Sequence, residues 1–146
     1  DTDRSRGLGD VYKRQLQDMI KEKAAALGLV DKVIFTGNQA DVSDYYQAMD
    51  FFVFPSVFEG LPGTVIEAQA SGLRCLVSDS VTPEVLITEL AQAEPLSLGA
   101  GAWAANVLER KEYVRNQMTQ AIKAAGFDVS DQVKMLEKIY LQENCQ

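Results

Sequence analysis

The sequence predicts an α/β fold, a parallel sheet with flanking helices, followed by a helical C-terminal tail. Three observations lead there. The runs Phe51-Phe52-Val53-Phe54 and Cys75-Leu76-Val77 are apolar without polar alternation, the pattern of strands covered on both faces, as parallel strands usually are. Apolar residues at helical spacing lie between and after these runs. Strands alternating with helices in this way call for right-handed crossovers within one sheet.

The elements follow in chain order. Leu16, Met19, Ile20, Ala24 and Leu27 keep helical spacing, and Gly28 follows as a C-terminal stop. Val33, Ile34 and Phe35 form a β-branched and aromatic run closed by Thr36 and Gly37, which predicts a short strand. Asp41 is placed to cap a helix that carries Val42, Tyr45, Tyr46 and Met49 on one side. The strand at 51–54 comes next, then a loop, then a helix from Thr64 to Ser71 stopped by Gly72. The strand opened by Cys75 ends before Ser78 and Asp79, and a looser strand is expected at Leu96 to Leu98. Three helical segments complete the chain. One carries Trp103, Val107 and Leu108, a second Val114, Met118 and Ile122 as core contacts, and a third Val133, Leu136, Ile139 and Tyr140, with Gly126 separating the last two. The opening helix has no strand before it, so an edge or central strand is expected upstream.

Counts bound the function. At 146 residues the chain is long enough for one domain and short for two. A formal charge of -7 argues against a nucleic-acid partner, which calls for a basic face. Arg110, Lys111 and Arg115 form a small basic cluster, which reads as a solvated face. No apolar run reaches the roughly 18 residues of a membrane span. Cys75 and Cys145 make no metal or disulfide pattern, which suits a reducing, cytoplasmic compartment. There is no histidine, which removes Ser-His and Cys-His nucleophiles and the commonest metal ligand and general base. Any chemistry runs on carboxylates, hydroxyls, cations and backbone amides.

The segment 1–15 is expected to stand apart from the fold. Residues 5–15, Ser-Arg-Gly-Leu-Gly-Asp-Val-Tyr-Lys-Arg-Gln, resemble the in-frame translation of a transposase-type sequencing adapter, and such a scar is excluded from fold reasoning. The expected domain is therefore 16–146, a piece truncated on its N-terminal side, with 1–15 a disordered, non-native segment.

The candidate site lies where the apolar run 51–54 gives way to Glu59, Gly60, Leu61, Pro62 and Gly63 and a helix begins near Thr64. Open α/β sheets bind ligands beyond the carboxyl ends of their strands. A helix N-terminus with a glycine-containing approach loop offers unpaired N–H groups and partial positive charge to a phosphate. Gly60, Gly63 and the amides of Thr64 and Val65 are the candidate cradle. Pro62 stiffens the loop. A leaving diphosphate gathers negative charge as a glycosidic bond breaks, so dipoles already aimed at it lower the barrier. Glu67, one turn inside the helix, can accept hydrogen bonds from neighbouring ribose hydroxyls, while Glu59 faces whatever lies beyond the phosphates. The same residues admit a plainer account: Thr64-x-x-Glu67 is also a capping box, with Glu67 bonded back to the Thr64 amide, and Glu59 could be a solvated loop acid.

The run Phe58-Glu59-Gly60-Leu61-Pro62-Gly63-Thr64-Val65-Ile66-Glu67-Ala68-Gln69-Ala70-Ser71-Gly72 resembles the glutamate-x7-glutamate motif of the retaining glycosyltransferases of family 4, which have the GT-B fold. Further pieces match in order: Asp31 to Gly37, Asp41-Val42 to Asp50, Val53-Phe54-Pro55-Ser56, Cys75 to Asp79 and Pro83-Glu84-Val85. The tail, with Leu96-Ser97-Leu98, Trp103-Ala104 and Ala125 to Asp128, is similar to the capsular and exopolysaccharide branch. The resemblance implies the Rossmann-like C-terminal half of a GT-B enzyme, bacterial in style, moving a sugar from a UDP- or GDP-type nucleotide diphosphate sugar to a glycan or lipid-linked acceptor. It implies Glu67 on the nucleotide ribose, Glu59 as the catalytic candidate beside the donor sugar, and the backbone of Gly60, Leu61, Pro62, Gly63, Thr64 and Val65 against the diphosphate and sugar. It also implies Gly37 near the base, no metal and no separate cofactor. The intact enzyme would be cytoplasmic, or peripheral on a membrane.

Two departures qualify the match. Arg74 stands where the family usually has proline, with an effect expected only on a surface loop. The family's diphosphate-gripping arginine and lysine, and its N-terminal acceptor domain, would lie upstream of Leu16. The chain is then expected to bind a donor but not to transfer sugar alone. A fragment of a GT-B nucleotide-sugar epimerase is an alternative. A non-catalytic α/β interaction module is another, though no acidic cluster follows its first strand. A paired-carboxylate glycosidase is disfavoured, because a helix N-terminus dominates the site. No G-x-G-x-x-G or P-loop fingerprint is present.

Overall fold

A computed structural model describes residues 16–143. The adapter-like segment at 1–15 lies outside the described residues. The chain divides into two compact units, Asp1–Ala40 and Asp41–Gln146.

The described part of the first unit is helix α1 (16–26), a 3₁₀ turn at Val30–Lys32 and an irregular stretch beyond it. Gly28 ends α1 as expected, at φ 67. Its N–H donates to Ala25 O at 2.9 Å, and the Leu29 N–H to Ala24 O at 2.9 Å, which together make a Schellman cap. The strand expected at Val33 to Phe35 does not form. Ile34 is 86% exposed, and an apolar β-branched run remains irregular when no neighbouring strand takes its backbone groups.

The second unit holds a three-stranded parallel sheet in the order β1-β2-β3: β1 (Phe52–Phe54), β2 (Cys75–Ser78) and β3 (Ala91–Glu94). Phe52 pairs with Cys75 and Cys75 with Ala91. Helix α2 (Ser43–Ala48) precedes β1, and α3 (Gly63–Ala70) connects β1 to β2. The fold class is thus as predicted, a Rossmann-like parallel α/β arrangement. The Asp41 carboxylate accepts the Ser43 N–H at 2.9 Å at the start of α2.

β2 is central and all four of its residues are buried, so its unbroken apolar pattern is explained. β1 departs from the two-face expectation, because Val53 is 44% exposed while Phe52 and Phe54 pack against the core. That core gathers Tyr46, Val65, Ala68, Leu73, Cys75, Val77, Val81 and Val85.

The third strand is not at Leu96 to Leu98, which forms a 3₁₀ turn, but at Ala91–Glu94. Alanine, glutamine and glutamate are poor strand formers by themselves. Parallel pairing with the buried β2 supplies what propensity lacks. Helix α4 (Gly99–Arg110) buries Trp103, whose indole N–H donates to Pro95 O at 3.1 Å. The middle tail helix is shorter than predicted. Residues 111–118 are irregular and Val114 is 83% exposed; only α5 (Thr119–Ala124), with buried Ile122, is helical. Gly126, at φ 89, separates it from α6 (Val129–Glu143). The apolar stripe of α6 is present, but Val133, Leu136 and Ile139 are all exposed.

The irregular strap at 111–118 holds the fold through Arg115. Its guanidinium donates to four backbone carbonyls: Ser71 O at 2.9 Å, Gln47 O and Met49 O at 3.1 Å, and Tyr46 O at 2.6 Å. One side chain thereby ties the end of α3 to the α2–β1 corner. Arg110 lies 5.9 Å from the Phe51 ring centroid, and burial pulls its guanidinium below the usual arginine range. The basic trio is therefore not one solvated face. Nor is Arg74 a loop ornament: it lies over the Tyr113 ring at 4.6 Å and donates to Arg110 O. Gly72, at φ 81, cannot be replaced cheaply, because a Cβ there would stand 2.3 Å from Asn116 O.

Candidate donor site

Helix α3 begins one residue earlier than predicted, at Gly63, with Pro62 as its N-cap at φ -73 and ψ 110. The proline fixes φ for the turn and has no N–H to satisfy. β1 ends at Phe54, and the chain passes through Ser56 and Glu59 before α3, so the whole segment lies beyond the carboxyl end of β1. Glu59 forms an isolated parallel bridge with Val81, which extends the β1–β2 direction past the strands and fixes the loop backbone. Ser56 Oγ donates to Glu59 Oε1 at 3.3 Å, and the glutamate is otherwise exposed.

The approach to α3 is open. Gly60, Leu61, Gly63 and Thr64 are exposed, and a Cβ added at Gly60 or Gly63 would meet no atom within 4 Å. The amides of Gly63 and Thr64 have no acceptor among the described residues, as the first turn of a helix requires unless something caps it. Two members of the predicted cradle differ in role. The Val65 N–H already donates to Pro62 O at 3.2 Å, so it is not available to a ligand. The side chains of Val65 and Pro62 are buried, and they anchor the mouth rather than line it.

Glu67 is exposed on the fifth residue of α3, one turn inside as expected. The capping box is not formed: no side chain caps α3, and Thr64 stands inside the helix rather than at its cap. Glu67 instead receives a hydrogen bond from the Tyr46 hydroxyl at 3.0 Å to Oε2. Tyr46 is buried, with its ring edge-on to Phe52 at 5.9 Å between centroids. Burial first, and then the Glu67 carboxylate, push its phenol above the ordinary tyrosine range, so it stays a donor. In the sequence Tyr46 reads only as part of an apolar helix face. The available signal was that a buried tyrosine needs a partner for its hydroxyl.

Gln69, passed over in the sequence, is the buried fastener beneath the site. Its Nε2 donates to Val65 O at 3.2 Å and Val85 O at 2.7 Å, and its Oε1 accepts the Thr88 N–H and hydroxyl, both at 3.0 Å. Eight of the nine predicted site residues lie in this segment of the second unit; Gly37 belongs to the first unit, where it takes φ 67. Among the described residues no group of three acidic or cysteine side chains is arranged to hold a metal. A separate groove of about 580 Å³, between Val53, Pro55, Trp103 and Val107, is lined by apolar residues and has no acid, base or hydroxyl for chemistry.

A parallel sheet whose strand end feeds a glycine-flanked helix start with no side-chain cap defines a Rossmann-like α/β domain. The family follows from the sequence itself. The model described as "Glycosyl transferases group 1" matches residues 7–109, and the chain belongs to that glycosyltransferase family. It is 35% identical over 129 residues to the glycosyltransferase EpsF of Bacillus subtilis, covering 83% of this chain and 33% of that protein. It is 33% identical over 81 residues to the lipopolysaccharide core biosynthesis mannosyltransferase LpsB of Rhizobium meliloti, covering 56% of this chain and 23% of the relative. It is also 38% identical over 53 residues to the UDP-Gal:alpha-D-GlcNAc-diphosphoundecaprenol alpha-1,3-galactosyltransferase of Escherichia coli, covering 36% and 14%. The chain spans about a third of the length of the first of these relatives and less of the others. No solved structure matches it. Among the described residues, no helix is long and apolar enough to cross a membrane.

Proposed function

We propose that this chain is the donor-binding part of a retaining, family 4 type glycosyltransferase, which moves a sugar from a UDP- or GDP-type nucleotide diphosphate sugar to a glycan or lipid-linked acceptor in polysaccharide synthesis. The observation that carries this reading is the open N-terminal mouth of α3, where the Gly63 and Thr64 amides are unengaged and Glu67 stands one turn behind them. The mannosyl- and galactosyltransferase names of the relatives support the sugar-transfer class, and one of those names couples a UDP sugar to a diphosphoundecaprenol acceptor.

In this reading the diphosphate sits against the Gly63 and Thr64 amides, where the helix dipole favours negative charge. That charge grows as the glycosidic bond to the donor breaks, so the mouth stabilises the leaving group. Glu67 accepts the ribose hydroxyls and sets the register of the nucleotide. Glu59, held by its bridge to Val81, faces the donor sugar. The acceptor domain and the cations that grip the diphosphate belong to the rest of the enzyme, so the chain alone binds donor weakly and transfers nothing. We place the intact enzyme in the cytoplasm, in peripheral contact with a membrane when its acceptor is lipid-linked.

The test is an amide NMR titration of the chain with UDP and GDP at millimolar concentration. The Gly60, Gly63 and Thr64 amides shift with one nucleotide, and Glu67→Ala weakens its binding at least about tenfold, the worth of one hydrogen bond to a charged acceptor. Titration with both nucleotides that leaves those amides unmoved refutes the reading.

A further inference from the structure

We infer that Tyr46 is a positioning residue for the donor site: its hydroxyl holds Oε2 of Glu67 and so turns Oε1 toward the hydroxyls of a nucleotide ribose. The inference rests on the donor reading above and adds to it the group that gives the carboxylate its orientation.

The geometry is specific. Glu67 lies on the exposed face of α3, where a glutamate side chain ordinarily samples many rotamers. Here one oxygen is taken at 3.0 Å by a phenol that cannot itself move far. Tyr46 is 5% exposed, and its ring is packed edge-on against Phe52 of β1. Its backbone is held from the other side, because its carbonyl accepts Arg115 Nη2 at 2.6 Å and its N–H donates to Val42 O at 3.1 Å. Oε1 of Glu67 has no hydrogen-bond donor among the described residues. A carboxylate so arranged is pinned at one oxygen and open at the other. The phenol reaches it from the core, leaving the solvent side of α3 for a ligand. A residue 21 positions earlier in the chain thus sets the direction in which the ribose is read.

Pinning matters because a ligand that must freeze a free glutamate gives up part of its affinity in doing so, and the phenol has already supplied that ordering. Removing the hydroxyl should cost about fivefold in affinity, and only for ligands that use Glu67.

The test uses the full chain, amide NMR titrations with UDP and 2′-deoxy-UDP (and the guanine pair), and thermal melts of Tyr46→Phe, Glu67→Ala and the double variant. The wild type is expected to prefer the ribonucleotide about tenfold, since a site that bonds a hydroxyl rejects the analogue lacking it. Tyr46→Phe cuts that preference severalfold with little change in melting temperature. Glu67→Ala abolishes it, and adding Tyr46→Phe then changes nothing further. If Tyr46→Phe keeps the full preference while Glu67→Ala loses it, the positioning role is overturned and the donor reading stands. Equal weakening of both ligands, with a lower melting temperature, makes Tyr46 structural only and also overturns the role. Absence of binding to any of the four nucleotides, or an unchanged preference in Glu67→Ala, removes the donor reading and this inference with it.

Discussion

Replacing Gln69 by leucine is the sharpest test of how the site is held. The side chain is fully buried and makes four hydrogen bonds, but their loss is unequal. Val65 O lies one helical turn before the Gln69 amide, and Val85 O still accepts the Ile87 N–H at 3.0 Å, so neither carbonyl is stranded. Thr88 is different. Its N–H and its hydroxyl proton both lose Gln69 Oε1, and the hydroxyl is left only as the acceptor of the Leu90 N–H at 3.3 Å. Two orphaned buried donors cost about 1–3 kcal/mol each. Burial of the leucine returns about 1–2 kcal/mol of that. Mid-range values leave a net loss of about 2.5 kcal/mol, a sizeable share of the roughly 5–15 kcal/mol that stabilises a domain. At about 4 °C per kcal/mol for a chain of this size, the melting temperature should fall by about 10 °C. Circular dichroism during heating and urea titration reads both quantities. A companion variant isolates the mechanism. Thr88→Val destabilises the wild type, but in the Gln69→Leu background it trades the orphaned hydroxyl for the weakly held Leu90 N–H, so the double variant should lose less than the sum of the two single changes. A Gln69→Leu protein within about 2 °C of wild type, or a Thr88→Val change that simply adds, refutes the account.

Two further outcomes follow from the same packing. Gly72→Ala combines a left-handed backbone with a Cβ 2.3 Å from Asn116 O. It should cost more than the roughly 1–2 kcal/mol of the left-handed conformation alone, and it should speed hydrogen exchange at the Met118 amide, which donates to Ala70 O at 3.1 Å. Unchanged exchange there would show that the strap does not depend on Gly72. Cys75 is fully buried, and desolvation pushes its thiol from 9.0 up to about 12. The native protein should therefore leave the Cys75 peptide unalkylated by iodoacetamide at pH 8, and urea should expose it, as read by peptide mass separately from Cys145. Above pH 9 the folded state keeps a proton that the unfolded state loses, so this contribution is complete below pH 9 and is lost as pH rises toward 12. Cys75→Ala should flatten that alkaline decline, and an identical slope in both proteins would contradict it.

Much of the architecture was legible because burial writes itself into composition. Cys75 to Val77 read as a two-face strand and are the buried centre of the sheet. Gly28 and Gly72 read as helix stops and Gly126 as a separator of two helices, and all three take positive φ. Legibility failed where partners decide. Val33 to Phe35 have strand chemistry but pair with no strand among the described residues, whereas Ala91–Glu94 have little strand chemistry and pair because β2 presents its edge. Val114 kept helical spacing with Met118 and Ile122, yet the stretch before α5 is drawn across the end of α3 by the Arg115 guanidinium and the Met118 amide.

The site divides along the same line. Local chemistry along the chain was enough to place a glycine-flanked helix start after a strand and to set Glu67 one turn inside it, and the resemblance of that motif pointed to the sugar-transfer family. Which amides stay unengaged, which acid is gripped by a phenol and which arginine serves structure rather than solvent were decided only in three dimensions. The physical reason is that a hydrogen bond between Tyr46 and Glu67, or between Arg115 and four carbonyls, depends on directions and distances between segments far apart in the chain. Linear spacing encodes the face a residue occupies, but not the group it meets there.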